Sequence, residues 1–99
     1  MRIQRVRDST AGGLWCVSGE APEMGKVLEG CVRIDGIAYA VEPGCLVRLR
    51  WGDESPFLAL FGIGKLSEGW LEWHGRGILL EATGLGGFSL ALDFTRQRD

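Results

Sequence analysis

Residues 32–44 of the 99-residue chain read VRIDGIAYAVEPG. The Asp35-Gly36 pair lies between segments rich in apolar residues, which is a strong signal for a tight β-hairpin turn. The pattern predicts one strand over residues 26–34 and its partner over residues 37–41, followed by a second turn at Glu42-Pro43-Gly44. This stretch therefore indicates consecutive short antiparallel strands.

The same pattern continues on both sides of this hairpin. Short alternating or wholly apolar segments are separated by Gly, Pro, Asp and Ser, and no capped apolar run has helical spacing. Glycine accounts for 16 of the 99 residues and interrupts almost every candidate helix. The tail over residues 95–99 is polar and is expected to fray. The further predicted strands are 2–8, 14–18, 45–51, 57–63, 70–74, 77–82 and 88–94.

These nine candidate segments predict an all-β fold of seven or eight short strands, in a single domain over residues 1–99. Long open sheet edges would expose unpaired backbone groups, so we expect the strands to close into a small barrel. A domain of this size buries only ~60–65% of its surface on folding. Binding to a partner would therefore add to its stability.

Composition excludes several classes of protein. The net charge of −2 and the 45% hydrophobic content are those of an ordinary globular chain, not of a disordered one. No apolar run is long enough for a transmembrane helix, and no secretory leader is recognisable. Three widely spaced cysteines form no metal-binding motif and are interpreted as small buried hydrophobes of a reduced protein. We therefore expect a cytoplasmic protein that contacts no membrane.

The sequence offers no recognisable catalytic constellation. His74 is the only histidine, no second ligand or orienting residue has matching spacing, and Gly-x-Ser-x-Gly does not occur. Gly62-Ile63-Gly64-Lys65 lacks the upstream glycine and the following Ser or Thr of a phosphate-binding loop. We expect no enzymatic activity, no cofactor, no metal and no small-molecule ligand.

Cations next to aromatic residues give one functional hypothesis. The cations Arg48, Arg50 and Lys65 are suited to contact the phosphates of a nucleic-acid backbone, and Trp51 offers a ring on which a base can stack. Small barrels hold single-stranded nucleic acid in this way. The net charge is low for a strong electrostatic attraction to phosphates. Packing in a core or a protein interface is the competing interpretation of the same residues.

Three segments in order resemble subunit 8 of the multisubunit RNA polymerases of eukaryotes and its counterpart in some archaea. Residues 32–44 are similar to a strand, turn, strand and turn of that family, residues 57–65 to its apolar strand ending in Gly-Lys, and residues 75–84 to its glycine-bounded strand. The resemblance implies an OB-like barrel of about eight strands and a non-catalytic subunit packed on the largest polymerase subunit. The expected partner interface is Gly75, Arg76, Gly77, Ile78 and Leu79.

Two functions are thus expected. The first is an accessory subunit of an archaeal-type DNA-dependent RNA polymerase, with at most weak nucleic-acid contact. The alternative is a free-standing OB-fold protein that binds single-stranded DNA or RNA through Arg48, Arg50, Trp51 and Lys65.

Overall fold

A computed structural model describes residues 1–67 and 75–97. The described residues contain seven antiparallel strands in one sheet, which confirms the all-β prediction. The predicted strand over residues 70–74 lies outside the described residues. The strands are β1 (Arg2–Ser9), β2 (Gly12–Leu28), β3 (Val32–Val41), β4 (Cys45–Trp51), β5 (Pro56–Leu60), β6 (Gly62–Ser67) and β7 (Ile78–Arg96).

Two long central strands, β2 and β7, organise the sheet. They pair with each other along their whole length, and β1 pairs with the first half of β2. On the other side of β7, β3 pairs with its second half and β4 with its first half. The edge strands β6 and β5 continue this arrangement, on β3 and β4 respectively. The sheet therefore has two halves that share β2 and β7.

Four stretches of the described chain pass side by side from one half of the sheet to the other: β2, β7, the link from β3 to β4 and the link from β5 to β6. Each has an irregularity or a break at the position where the two halves meet. The pairing of β2 with β7 shifts register between Ala21 and Glu23, and β7 has positive φ angles at Gly84 and Gly86. Residues 42–44 separate β3 from β4, and Phe61 separates β5 from β6. Gly62, next to Phe61, also has a positive φ angle. We call this line, at residues 21–22, 42–44, 61–62 and 84–86, the crease.

The sheet folds over along the crease, because inward side chains from both halves form one hydrophobic core. Along β7, alternate residues are buried on both sides of the crease, as expected for a strand with one covered face. Trp51 stacks on Phe57 with ring centroids 4.9 Å apart, and Trp15 meets Phe94 edge-on at 5.5 Å. The largest fully buried side chains are Phe94, Leu28, Ile37, Leu49, Ile78, Leu80, Leu90, Leu92, Val17, Val32 and Val47.

The sheet does not close into the predicted barrel. Within the described residues, β1 pairs only with β2 and β6 pairs only with β3, so both strands are open edges. All eight residues of β1 are exposed, and Arg5 and Asp8 lie in register with Trp15 and Gly13 on the inward-facing side. Closing the sheet at β1 would bury these charged side chains, which is costly unless they are fully paired.

The predicted Asp-Gly hairpin is also wrong. Asp35-Gly36 lies inside β3, where the pairing with β7 shifts between Ile34 and Gly36. The Asp35 carboxylate accepts a hydrogen bond from Arg33 at 2.8 Å and another from the hydroxyl of Thr95. The chain turns instead at residues 29–31, where Gly30 has a φ of 82°. Side-chain partners on β3 itself and on the neighbouring β7 thus hold the Asp-Gly pair extended.

Two predicted turns lie within continuous strands. The predicted strand over 14–18 and the turn expected after it, at residues 19–22, belong to the 17-residue β2. The predicted strands over 77–82 and 88–94 lie, apart from Gly77, in the 19-residue β7. Glycine and proline bend these strands at the crease without ending them. β7 also includes Thr95 and Arg96, two residues of the tail that was expected to fray.

Candidate functional site

Exposed apolar side chains gather beside the crease. Phe61, Ile63 and Leu85 are 73%, 88% and 76% exposed, whereas most large apolar residues of the described chain are covered. Leu85 adjoins the turn before β4, because its N–H donates to the Gly44 carbonyl at 3.0 Å. Phe61 and Ile63 flank Gly62 at the junction of β5 and β6. Phe61 and Ile63 together form an apolar surface at this junction, and Leu85 is exposed on β7, across the turn before β4.

Two adjoining cavities lie along this surface, and we call them together the crease groove. The first has a volume of about 650 Å³ and crosses β2, β7, β3 and β6. The second, about 550 Å³, lies between the turn at residues 42–44 and the junction of β5 and β6. Both are lined by Val41, Glu42, Pro43 and Ile63.

Backbone hydrogen bonds hold the floor of the groove in place. The Glu42 N–H donates to the Gly87 carbonyl at 3.0 Å, and the Cys45 N–H donates to the Glu42 carbonyl at 3.1 Å. The Glu42 carboxylate lies over Gly87, where a β-carbon would come within 2.7 Å of its Oε1. Glycine at this position therefore lets the carboxylate lie against the backbone of β7.

Two carboxylates give the groove a negative charge. Glu20 is the register partner of Gly87 on β2, and Glu42 bonds to Gly87 from the other side. Both side chains are exposed, and neither forms an ion pair with another described residue. The pair of acids around Gly87, next to Ile63, can accept a cationic side chain that lies beside an apolar one.

The expected interface at Gly75–Leu79 is mostly occupied by contacts within the chain. Ile78 is fully buried, and Arg76 pairs with Glu54 at 3.1 Å. The Gly77 carbonyl accepts from the Gly52 N–H at 2.9 Å, and a β-carbon on Gly77 would come within 2.3 Å of the Leu28 carbonyl oxygen. This segment therefore closes the end of the sheet, and only Gly75, Arg76 and Leu79 leave surface for a partner.

The four residues of the nucleic-acid hypothesis do not form one surface. Arg48 and Arg50 lie on β4 and both approach the Glu81 carboxylate, at 3.6 Å and 3.5 Å. Lys65 is exposed on β6, in the other half of the sheet. Trp51 is 7% exposed and stacks on Phe57 in the core, so its face is not available to a base. The interpretation of Trp51 as a stacking residue is therefore wrong.

Replacing Glu81 by glutamine tests whether its carboxylate restrains Arg48 and Arg50. We expect Glu81→Gln to strengthen binding of a single-stranded oligonucleotide at low salt, because both guanidinium groups lose their anionic partner. The slope of log K against log salt should steepen by about 0.7 for each added phosphate contact. Fluorescence anisotropy with a labelled oligonucleotide measures both quantities. Asp53→Asn makes the same charge change in an exposed loop, and equal effects of the two substitutions would contradict the prediction.

The apolar groove residues were not predicted as surface residues. Residues 57–63 form a continuous apolar run that was expected to be one buried strand. The strand is interrupted at Phe61 instead, and the side chains of Phe61 and Ile63 are exposed to solvent. The glycines next to these residues were the sequence feature that could have indicated their exposure. Phe61 and Ile63 flank Gly62, and Leu85 stands between Gly84 and Gly86. A large apolar residue between turn-forming glycines has few neighbours to cover it.

Other candidate sites are not supported by contacts. His74 lies outside the described residues. Within the described ranges, no group of three or more His, Cys, Asp or Glu side chains could hold a metal ion. Residues 1–67 and 75–97 also contain no helix long and apolar enough to cross a membrane.

No family model matches the chain, and neither a curated protein nor a solved structure matches it.

Proposed function

We propose that this chain is a non-catalytic accessory subunit that binds a protein partner through the crease groove. The observation that carries the proposal is the exposure of Phe61 and Ile63, 73% and 88%, on the lining of the crease groove, with Leu85 exposed nearby on β7. Exposed apolar patches with a polar rim are typical of protein-interaction sites. The backbone bonds that fix the groove reduce the ordering cost of binding.

The chemistry of the groove defines the partner segment. Ile63 and Phe61 require an apolar side chain on the partner, because their own apolar surface is otherwise in water. Glu20 and Glu42 favour a lysine or arginine beside it, since neither carboxylate has a cationic partner among the described residues. The partner segment therefore presents an apolar anchor next to a basic residue.

The resemblance to polymerase subunit 8 offers a candidate identity for the partner. On this proposal the partner is the largest subunit of an archaeal-type DNA-dependent RNA polymerase, in the cytoplasm. The docking surface differs from the one that the resemblance implied, because Gly77 and Ile78 are used within the chain. Leu79 lies near the start of β7 and Arg76 precedes that strand, so both are away from the crease.

Ile63→Ser is expected to weaken partner binding at least tenfold, since burying a side chain of this size contributes roughly 1.5–3 kcal/mol. Titration calorimetry with the purified largest polymerase subunit of the same organism measures the affinity. The matched control is Met24→Ser, which removes an apolar side chain that is 63% exposed on the other half of the sheet. Equal affinities of the two variants would exclude the groove as the docking site. Absence of binding by the unmodified chain would exclude the polymerase subunit as partner.

A single-stranded nucleic-acid-binding protein is the second candidate function. It retains three surface cations, Arg48, Arg50 and Lys65, of which two are held by Glu81. With Trp51 in the core, such binding would depend on charge more than on stacking. Strong salt dependence together with little change of tryptophan fluorescence on adding an oligonucleotide is the result expected of this alternative.

A further inference from the structure

A second cleft lies where the folded sheet stays open. It has a volume of about 460 Å³ and is lined by side chains from β1, β2, the turn after β2, and the end of β7. Unlike the crease groove, it has a predominantly charged lining. Its residues are Ile3, Arg5, Asp8, Trp15, Lys26, Val27, Glu29 and Arg96.

Two arginines converge on one buried indole in this cleft. The Arg5 guanidinium carbon lies 4.7 Å from the centre of the Trp15 ring, and that of Arg96 lies 5.7 Å from the same ring. Arg96 also lies 5.0 Å from the Phe94 ring. Arg5 reaches this position because it is the register partner of Trp15 on β1. A guanidinium held against an aromatic ring is restricted in orientation, and its N–H groups still bind oxyanions.

The charges of the cleft are only partly compensated. Arg96 approaches the Asp8 carboxylate at 3.6 Å, and Lys26 approaches Glu29 at 3.8 Å. Both distances exceed the 2.7–2.9 Å of a strong charge-assisted hydrogen bond, so a tighter anion can compete for these cations. Arg5 has no carboxylate within ion-pair distance in the described part of the chain. Three cations and two carboxylates leave one positive charge in the cleft.

A buried donor adds to this arrangement. Trp15 is 7% exposed and lines the cleft, and its indole Nε1 has no hydrogen-bond partner among the described residues. Leaving a buried donor unsatisfied costs about 1–3 kcal/mol. Because the same ring carries both arginines, the indole N–H is a local reporter of an anion bound to either guanidinium group.

We propose that this cleft binds a phosphate group through Arg5 and Arg96, with Lys26 at its rim. A carboxylate offers two oxygens in one plane, whereas the oxygens of a phosphate point in tetrahedral directions and can accept from cations on different elements. Here the cations come from β1, β2 and β7, on different walls of the cleft. The proposal is independent of the crease groove, because the cleft and the groove share no lining residue.

The phosphate group could belong to a small phosphorylated molecule or to the backbone of a nucleic acid. The cleft volume of about 460 Å³ admits either a free phosphate or one phosphodiester group with its neighbouring sugars. Two titrations separate these sources, one with inorganic phosphate and one with a short single-stranded oligonucleotide, both at constant ionic strength.

The titrations are followed by proton–nitrogen correlation NMR, with the Trp15 indole signal assigned by Trp15→Phe. We expect inorganic phosphate to shift this signal with saturation, and acetate at the same ionic strength to shift it far less. Arg5→Gln should weaken phosphate binding at least tenfold. Arg2→Gln, which makes the same charge change on the same exposed strand, should leave the affinity within twofold. A correctly folded spectrum of Arg5→Gln shows that lost binding is not lost structure.

Each outcome decides the proposal. Saturation by phosphate that Arg5→Gln weakens at least tenfold supports it, and tighter binding of the oligonucleotide assigns the phosphate to a nucleic acid. A linear, unsaturated shift that acetate reproduces overturns it, because Arg5 and Arg96 would then only cover the Trp15 ring. Equal weakening by Arg2→Gln and Arg5→Gln also overturns it, since binding would reflect only the net charge of β1.

Discussion

Gly84→Ala should lower the free energy of unfolding by roughly 3–5 kcal/mol, the combined cost of backbone strain and an overpacked site. Gly84 has a φ of 90°, a conformation that residues with a β-carbon rarely adopt. An added β-carbon would also come within 2.0 Å of the Gly44 carbonyl oxygen. That oxygen accepts the hydrogen bond from Leu85, so relieving the clash would separate β7 from the turn that precedes β4.

Urea denaturation of Gly84→Ala measures this loss, with Gly62→Ala as the matched control. Gly62 also lies at the crease and has a φ of 72°, but no atom lies within 4 Å of the position of an added β-carbon. The control should therefore lose only the conformational cost, roughly 1–2 kcal/mol. A loss at Gly84 no larger than that at Gly62 would contradict the close approach of β7 to Gly44. Since the free energy of unfolding of a small domain is only about 5–15 kcal/mol, the Gly84→Ala variant should retain little net stability.

The positions of glycine and proline in the sequence predicted where the backbone bends, but not whether a strand ends at the bend. Glu42-Pro43-Gly44 separates two strands as predicted, whereas Ala21-Pro22 and residues 83–87 lie inside long strands. The local signal is the same in these places, because all of them need unusual backbone geometry. What differs is the neighbouring strand, since β2 and β7 continue to pair with each other beyond the irregularity. Local sequence predicts the bend, and non-local pairing decides whether the strand ends there.

The contacts of the charged residues in the candidate sites were likewise only partly predictable from local sequence. Arg48 and Arg50 were correctly placed on one strand, at alternate positions of the segment 45–51. Their partner Glu81 lies more than 30 positions along the chain and meets Arg48 only through the register of β4 with β7. The same register places Trp51 opposite Ile78 in the core. Residue type therefore predicted the possible chemistry, but register determined which side chains remained available for it.

Cys45 should react with iodoacetamide on the order of 100-fold more slowly than Cys16 or Cys31 at pH 8, because alkylation requires an accessible thiolate. Burial raises the pKa of the Cys45 thiol above its ordinary value, and the nearby Glu42 carboxylate raises that pKa further. Cys45 is 5% exposed in the core, whereas the other two thiols are partly exposed. Mass spectrometry of timed reactions gives the rate at each cysteine. Similar rates at all three would contradict the burial of Cys45.

The direction of the pKa shift also fixes a pH dependence. The folded chain keeps the Cys45 proton at pH values where the unfolded thiol, with an ordinary pKa of about 8.5, has lost its own. The stability that the protonated thiol contributes is therefore complete below that pH and decreases as the pH rises towards the pKa of the folded state. Glu42→Gln should speed labelling of Cys45, whereas Glu20→Gln, in the same groove, should not, because only the Glu42 charge raises this pKa.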